Sequence, residues 1–139
     1  MKKVLILCTG NSCRSQMAEG LLRDITNNTI EVYSAGTHPE PVNPYAIKAM
    51  QQIDIDISSH QSNHLDNYRS IYFDFVITVC SNAKERCPHF SNCDMLMHES
   101  FRDPANAEGT ELQQLAVYVE VRDQLKEYLK KFYHDFLVA

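Results

Sequence analysis

The sequence has little of several features that would place a chain in a special class of protein. Its 139 residues include no tryptophan, four glycines and five prolines, and they contain no internal repeat or low-complexity stretch, which excludes repeat arrays. No apolar run approaches the roughly 18 residues of a membrane span, so we expect no membrane partner. Lysine and arginine never exceed two in a row and the net charge is −5, so we expect no nucleic-acid partner.

The composition is otherwise that of an ordinary globular protein, with 44% hydrophobic and 22% charged residues. We expect a single domain over residues 1–139, and a monomer because no apolar heptad seam is present. The apolar opening Val4–Leu7 is shorter than a secretory signal and no cleavage site follows it, so we expect a cytoplasmic protein. The odd number of cysteines argues against a disulfide framework; they are Cys8, Cys13, Cys80, Cys87 and Cys93.

Hydrophobic periodicity predicts strands that alternate with helices. The expected strands cover residues 3–8, 30–35, 73–79 and 95–98, and a loop with one helical turn covers residues 58–69. The first helix ends at Asn27, the second begins at Asn43, and the third runs from a capping box of Thr110 and Gln113 to about Asp135. This alternation implies an α/β three-layer sandwich around a four-stranded parallel sheet in the order 2-1-3-4.

The loop between the first strand and the first helix has the pattern of an anion site with a nucleophile. Cys8 ends the strand, Arg14 follows the loop, and the residues between them can curl so that their N–H groups point at one tetrahedral oxyanion. These residues are Thr9, Gly10, Asn11, Ser12 and Cys13. Arg14 suits a bidentate grip on two oxygens, and the same positive field favours an ionised Cys8 sulfur. We expect Ser15 to donate its hydroxyl to that sulfur and Cys13 to serve packing.

Two further thiols follow the third strand. In a sheet of order 2-1-3-4 the carboxyl ends of strands one and three lie side by side, so we expect Cys80 beside Cys8 at the ligand-binding edge. Cys87 lies seven residues after Cys80, about 10 Å of rise if a helix capped by Ser81 connects them. A disulfide between them therefore requires the segment to unwind.

Asp103 is the candidate general acid. It precedes a proline after the fourth strand, and a carboxyl at the rim of the anion site can protonate the oxygen that leaves. Cys93 has no spacing to other ligands that fits a zinc site, so we expect it to be incidental.

The thirteen residues from Cys8 to Gly20 resemble the anion loop of the thioredoxin-coupled arsenate reductases, relatives of the low-molecular-weight protein tyrosine phosphatases. Other blocks resemble the same family in the same order: residues 33–36, 42–50, 54–58, 79–81, 87–88 and 103–105. The resemblance covers nearly the whole chain and implies a phosphotyrosine phosphatase I-like fold.

The resemblance also implies a reaction, the reduction of arsenate, with phosphate as a substrate analogue. Cys8 is then the nucleophile, Arg14 and the loop amides bind arsenate, and Asp103 assists the loss of hydroxide. Cys80 and Cys87 make the second and third thiol attacks. Thioredoxin, as the external reductant, reduces the Cys80–Cys87 disulfide, and no cofactor is bound.

Some members of the family bind potassium at residues that correspond to Asn11, Glu19 and Ser34, together with an aspartate. Asn63 takes the place of that aspartate here, which removes one anionic ligand. We therefore expect weak potassium binding at most.

Two other functions remain open from the sequence. The first is a phosphotyrosine phosphatase that uses the same nucleophile, arginine and acid while the distal thiols stay idle. Residues 105–107 place no aromatic ring after the Asp-Pro pair, where phosphatase relatives have one, so we expect phosphatase activity only as a side reaction. The second is a non-catalytic sensor in which Cys80, Cys87 and Cys93 hold zinc or arsenite.

Overall fold

The computed structural model describes residues 1–81 and 88–138. Its four strands form one parallel sheet in the order β2-β1-β3-β4, which confirms the predicted order. The strands are β1 (Lys3–Cys8), β2 (Glu31–Gly36), β3 (Phe73–Thr78) and β4 (Cys93–His98). Leu7 pairs with Ala35 on one side and with Thr78 on the other, so the carboxyl ends of these three strands lie at the same edge of the sheet.

Three helices connect or follow the strands: α1 (Arg14–Ile25), α2 (Pro44–Gln51) and α3 (Glu111–Phe132). The predicted caps are confirmed, because Asn43 accepts the N–H of Tyr45 and Thr110 forms a reciprocal capping box with Gln113. Within the described residues no helix has the length and hydrophobicity that crossing a membrane requires.

The sheet has a buried core on each face. Val4, Ile6 and Cys8 of β1 pack with the helices, whereas Leu5 and Leu7 belong to a separate cluster. Successive residues of a strand point to opposite faces, so the two clusters lie on opposite sides of the sheet. Helices α1, α2 and α3 supply the first cluster, and the 3₁₀ turn Leu65–Tyr68 supplies part of the second.

The structure moves several predicted boundaries. β2 begins and ends one residue later than expected, and β4 begins at Cys93, two residues early, because the parallel ladder with β3 starts with Phe73 opposite Cys93. The strand thus includes Cys93 and Asp94, which lie outside the apolar run from which the strand was predicted. α3 ends at Phe132, and the wider turn Tyr133–Leu137 follows it.

Candidate active site

The loop after β1 has a backbone shape that its sequence imposes. Asn11 has a φ of 48°, a left-handed conformation that asparagine adopts more readily than most residues. Gly36, at the end of β2, lies so close that a Cβ there would be 2.4 Å from the Thr9 carbonyl oxygen. Among the described residues no side chain caps the start of α1, so the positive end of its dipole faces the loop.

The loop bounds a cavity of about 160 Å³. The cavity is lined by Cys8, Thr9, Gly10, Ser12, Cys13, Arg14, His38, Glu40, Asp103 and Ala105. It is smaller than the roughly 300–1,000 Å³ of typical organic ligand sites, and it suits one tetrahedral oxyanion. The structure therefore brings the predicted nucleophile, arginine and acid together. A larger cavity of about 730 Å³ lies apart from them, between α3 and residues 99–101.

The Cys8 sulfur is held by a short hydrogen-bond chain. The Asn11 side-chain N–H donates to Ser15 Oγ over 2.7 Å, and Ser15 Oγ lies 2.9 Å from Cys8 Sγ. All three side chains are buried. An ionised sulfur has no hydrogen to donate, so the Ser15 hydroxyl is then the donor. This is the contact that the sequence predicted between Ser15 and Cys8.

Arg14 links the loop to the segment that carries the candidate acid. Its Nη1 donates to the carbonyl oxygen of Phe101 over 3.2 Å, and its Nη2 lies 3.6 Å from the Asp103 carboxylate. The other Asp103 oxygen accepts the N–H of Ala105 over 3.0 Å. Arg14 is buried and the Asp103 side chain is 30% exposed, so Asp103 lies at the rim of the cavity, as expected of an acid that exchanges protons with water.

Cys13 lies in a different environment from Cys8. Burial raises the pKa of its thiol to about 11, and its sulfur lies 3.6 Å from Ser12 Oγ. A thiol with this pKa is almost entirely neutral at pH 7 and is a poor nucleophile. These properties agree with the prediction that Cys13 serves packing.

Cys80 lies at the same edge of the sheet as Cys8. The Val79 N–H donates to the Leu7 carbonyl oxygen over 2.9 Å, so the ladder between β1 and β3 continues up to the residue before Cys80. Cys8 and Cys80 are both buried and belong to the same cluster. The predicted placement of these cysteines at neighbouring strand ends is confirmed. Cys87 and the predicted helix after Ser81 lie outside the described residues.

Cys93 lies at the opposite end of the sheet. It pairs with Phe73 at the start of β3, and Cys80 is seven residues further along the chain. At about 3.3 Å per residue, these cysteines are roughly 20 Å apart. A sensor site that uses Cys80 and Cys93 together is therefore wrong, and the part of the chain that the structure describes holds no cluster of three metal-ligating side chains.

His38 and Glu40 line the cavity but were not predicted from the sequence. Their backbone N–H groups donate to the carbonyl oxygens of Thr9 and Gly10 over 3.0 and 2.9 Å. The loop after β2 has no periodic pattern that would identify them. Only the strand order could have indicated them, because β2 lies next to β1 and the loop after β2 begins beside Cys8.

A cysteine at the end of a parallel strand, a tight anion loop and an arginine at the start of the next helix define a phosphatase-type anion site. The model of the low molecular weight phosphotyrosine protein phosphatase family matches residues 3–136, and the chain belongs to this family.

Curated relatives of the chain carry a more specific name. It is 44% identical over 131 residues to an arsenate reductase of Oceanobacillus iheyensis, covering 94% of each chain. It is 45% identical over 134 residues to arsenate reductase 2 of Staphylococcus saprophyticus, covering 96% of this chain and 98% of the relative. Among solved structures it resembles an arsenate reductase in the phosphate binding state, with a TM-score of 0.82, 34% identity, and coverage of 96% and 98%.

Proposed function

We propose that the protein reduces arsenate to arsenite through a relay of Cys8, Cys80 and Cys87, with thioredoxin as the reductant. The observation that carries the proposal is the position of Cys80. A second buried thiol at the strand end next to the nucleophile has no use in phosphate ester hydrolysis, but a two-electron reduction needs one. The curated relatives, which the chain matches over nearly their whole length, are named arsenate reductases, and this supports the same reaction.

The first step joins arsenic to Cys8. The ionised sulfur attacks arsenate held by the loop amides and Arg14, and one arsenic–oxygen bond breaks. Asp103 at the cavity rim protonates the leaving oxygen, which departs as water. The Ser15 hydroxyl, 2.9 Å from the sulfur, holds the nucleophile in position before the attack.

The second step is the reduction. The Cys80 thiolate attacks the Cys8 sulfur, a disulfide forms, and the sulfur–arsenic bond breaks with its electron pair on arsenic. Arsenic(V) becomes arsenic(III) and leaves as arsenite, while two thiols become one disulfide, so the electrons balance. A phosphorus adduct offers no comparable two-electron exit, and its sulfur–phosphorus bond is hydrolysed instead.

The last steps restore the nucleophile. Cys87 attacks Cys80, which releases Cys8 as a thiolate and leaves a Cys80–Cys87 disulfide. A dithiol reductant then supplies two electrons, and the family resemblance makes thioredoxin the expected one. Phosphate has the shape and charge of arsenate, so slow aryl phosphate hydrolysis at Cys8 accompanies the main reaction.

The test is steady-state arsenate reduction with thioredoxin, thioredoxin reductase and NADPH. We expect Cys8→Ser, Cys80→Ser and Cys87→Ser each to abolish turnover, while Cys93→Ser, at the far end of the sheet, keeps the wild-type rate. Cys80→Ser should keep slow hydrolysis of p-nitrophenyl phosphate, and mass spectrometry of Cys87→Ser after one turnover should find Cys8 bonded to Cys80. Wild-type arsenate turnover in Cys80→Ser would refute the relay.

A further inference from the structure

A buried carboxylate lies behind the anion loop. The Glu19 side chain, on α1, is only 8% exposed. One of its oxygens accepts the Ser34 hydroxyl over 2.6 Å, and the other lies 3.0 Å from Nη1 of Arg23, one helical turn further along α1. Arg23 also donates to the Val32 carbonyl oxygen of β2 over 2.9 Å, so its guanidinium is fixed from two sides.

The residues at this position do not fit a resident potassium ion. A cation here would compete with contacts already made, because Asn11 Oδ1 accepts the Asn63 N–H over 2.8 Å and the two Glu19 oxygens contact Ser34 and Arg23. The charge is also balanced, since Glu19 contributes −1, Arg23 contributes +1 and Asn63 is neutral. A further cation would give this cluster, in which Glu19 is buried and the Arg23 side chain is 42% exposed, an excess positive charge.

We propose that the Arg23 guanidinium takes the place of a bound cation at Glu19 and is a positioning residue for the Cys8 loop. This inference goes beyond the proposed function, because it concerns how the loop is held and does not depend on which oxyanion reacts. A buried carboxylate requires a positive partner, and here the partner is covalently part of the chain.

The effect of Arg23 reaches the loop through a chain of polar contacts. His60 Nδ1 lies 3.4 Å from the Glu19 carboxylate and 3.0 Å from Gln16 Oε1. Both neighbours are acceptors, so this nitrogen carries the hydrogen. Gln16 Nε2 donates to the Asn11 carbonyl oxygen over 3.1 Å, and Asn11 begins the chain that holds Cys8.

This arrangement predicts how the loop depends on Arg23. If the guanidinium is removed, Glu19 loses its positive partner and turns toward water or toward His60. The His60–Gln16 contact then loosens, and Asn11 loses one of the groups that fix its left-handed backbone. The Cys8 sulfur should therefore become less reactive although Arg23 does not touch it.

The experiment compares Arg23→Gln, which removes the charge, with Arg23→Lys, which keeps it. Arg69→Gln is the matched control, because Arg69 forms a similar one-turn ion pair with Asp66 at the surface, with both side chains more than half exposed. Two quantities are measured for each variant: the melting temperature, and the rate at which iodoacetamide alkylates Cys8, followed by mass spectrometry. Each is recorded in potassium chloride and in choline chloride at equal ionic strength, since salt screens surface pairs.

We expect the wild-type protein to melt at the same temperature in both salts. Arg23→Gln should lower the melting temperature by roughly 3–8 °C and slow Cys8 alkylation about tenfold. Arg23→Lys should recover most of the melting temperature and most of the alkylation rate. Arg69→Gln should leave the melting temperature and the alkylation rate unchanged. A potassium site with a dissociation constant of about 1 mM would raise the wild-type melting temperature by roughly 8–11 °C at 100 mM potassium. Such a rise would overturn the proposal, and so would an Arg23→Gln variant that matches Arg69→Gln. Neither result requires arsenate turnover, so failure here is distinct from failure of the proposed function.

Discussion

Replacing Ser15 with alanine removes the hydroxyl that lies 2.9 Å from Cys8 Sγ and leaves the loop backbone in place. A hydrogen bond to a charged group is worth about 1.5–3 kcal/mol, which corresponds to a change of about 10- to 150-fold in the equilibrium between a thiol and its thiolate. Ser15 is fully buried, so water does not replace the lost donor on that side of the Cys8 sulfur without entering the core. We therefore expect Ser15→Ala to slow alkylation of Cys8 at pH 7, by this factor at most.

The assay uses iodoacetamide, which is uncharged, so the positive loop does not attract it and the rate reports the sulfur itself. Peptide mapping assigns the modification to Cys8 rather than to another cysteine. Ser58→Ala is the matched control, because the same hydroxyl is lost from an exposed serine whose side chain hydrogen-bonds to Asp56. The Asn11 amide loses its acceptor in Ser15→Ala, which should also destabilise the fold by about 1–3 kcal/mol. An alkylation rate within twofold of the wild-type rate would refute the inference that Ser15 stabilises the ionised sulfur.

Three other outcomes follow from the structure. The pKa of Cys13 is about 11 in the folded protein against about 9 for an ordinary thiol, so its alkylation rate should keep rising up to about pH 11. Because the folded state holds this proton more tightly, the thiol stabilises the fold below pH 9, and this contribution is lost as the pH rises toward 11. The unfolding free energy should therefore fall less steeply between pH 9 and 11 in Cys13→Ala than in the wild type, which checks the sign. Gly36→Ala should destabilise the protein by about 3 kcal/mol or more in urea unfolding, because its Cβ meets the backbone of Thr9, and a wild-type transition would contradict this. Thr110→Ala should lower the unfolding free energy by about 1 kcal/mol through loss of the helix cap, and unchanged stability would show that the cap is not formed in solution.

The sequence predicted features that depend on neighbouring residues better than features that depend on distant ones. The strand, loop and helix around Cys8 follow from local spacing, and the cap at Asn43 follows from one side chain and its next backbone N–H. The placement of Cys80 followed from topology, because two parallel strands in a known order bring their ends together. The start of β4 at Cys93 did not follow, since the partner strand decides where the ladder begins.

The parts of the site that the sequence missed are contacts across long chain separations. No residue near Glu40 in the sequence indicates that its N–H donates to the Gly10 carbonyl oxygen. No residue near Arg14 indicates that its guanidinium donates to the Phe101 carbonyl oxygen. The role of Arg23 was equally hidden, because a glutamate and an arginine four residues apart on a helix usually form a surface pair. Only the burial of Glu19 shows that this pair is different.

Asn11 has every polar group of its side chain and its carbonyl oxygen engaged by other parts of the protein. Its carbonyl oxygen accepts from Gln16 and from the Ser62 hydroxyl, while its amide bonds to Ser15 and to the backbone of Asn63. Asn11 has thus already given up its conformational freedom during folding, and an incoming oxyanion does not have to remove it. Affinity for the anion then depends on the dipoles already aligned toward it, and a mutation that frees Asn11 should weaken binding and slow the reaction together.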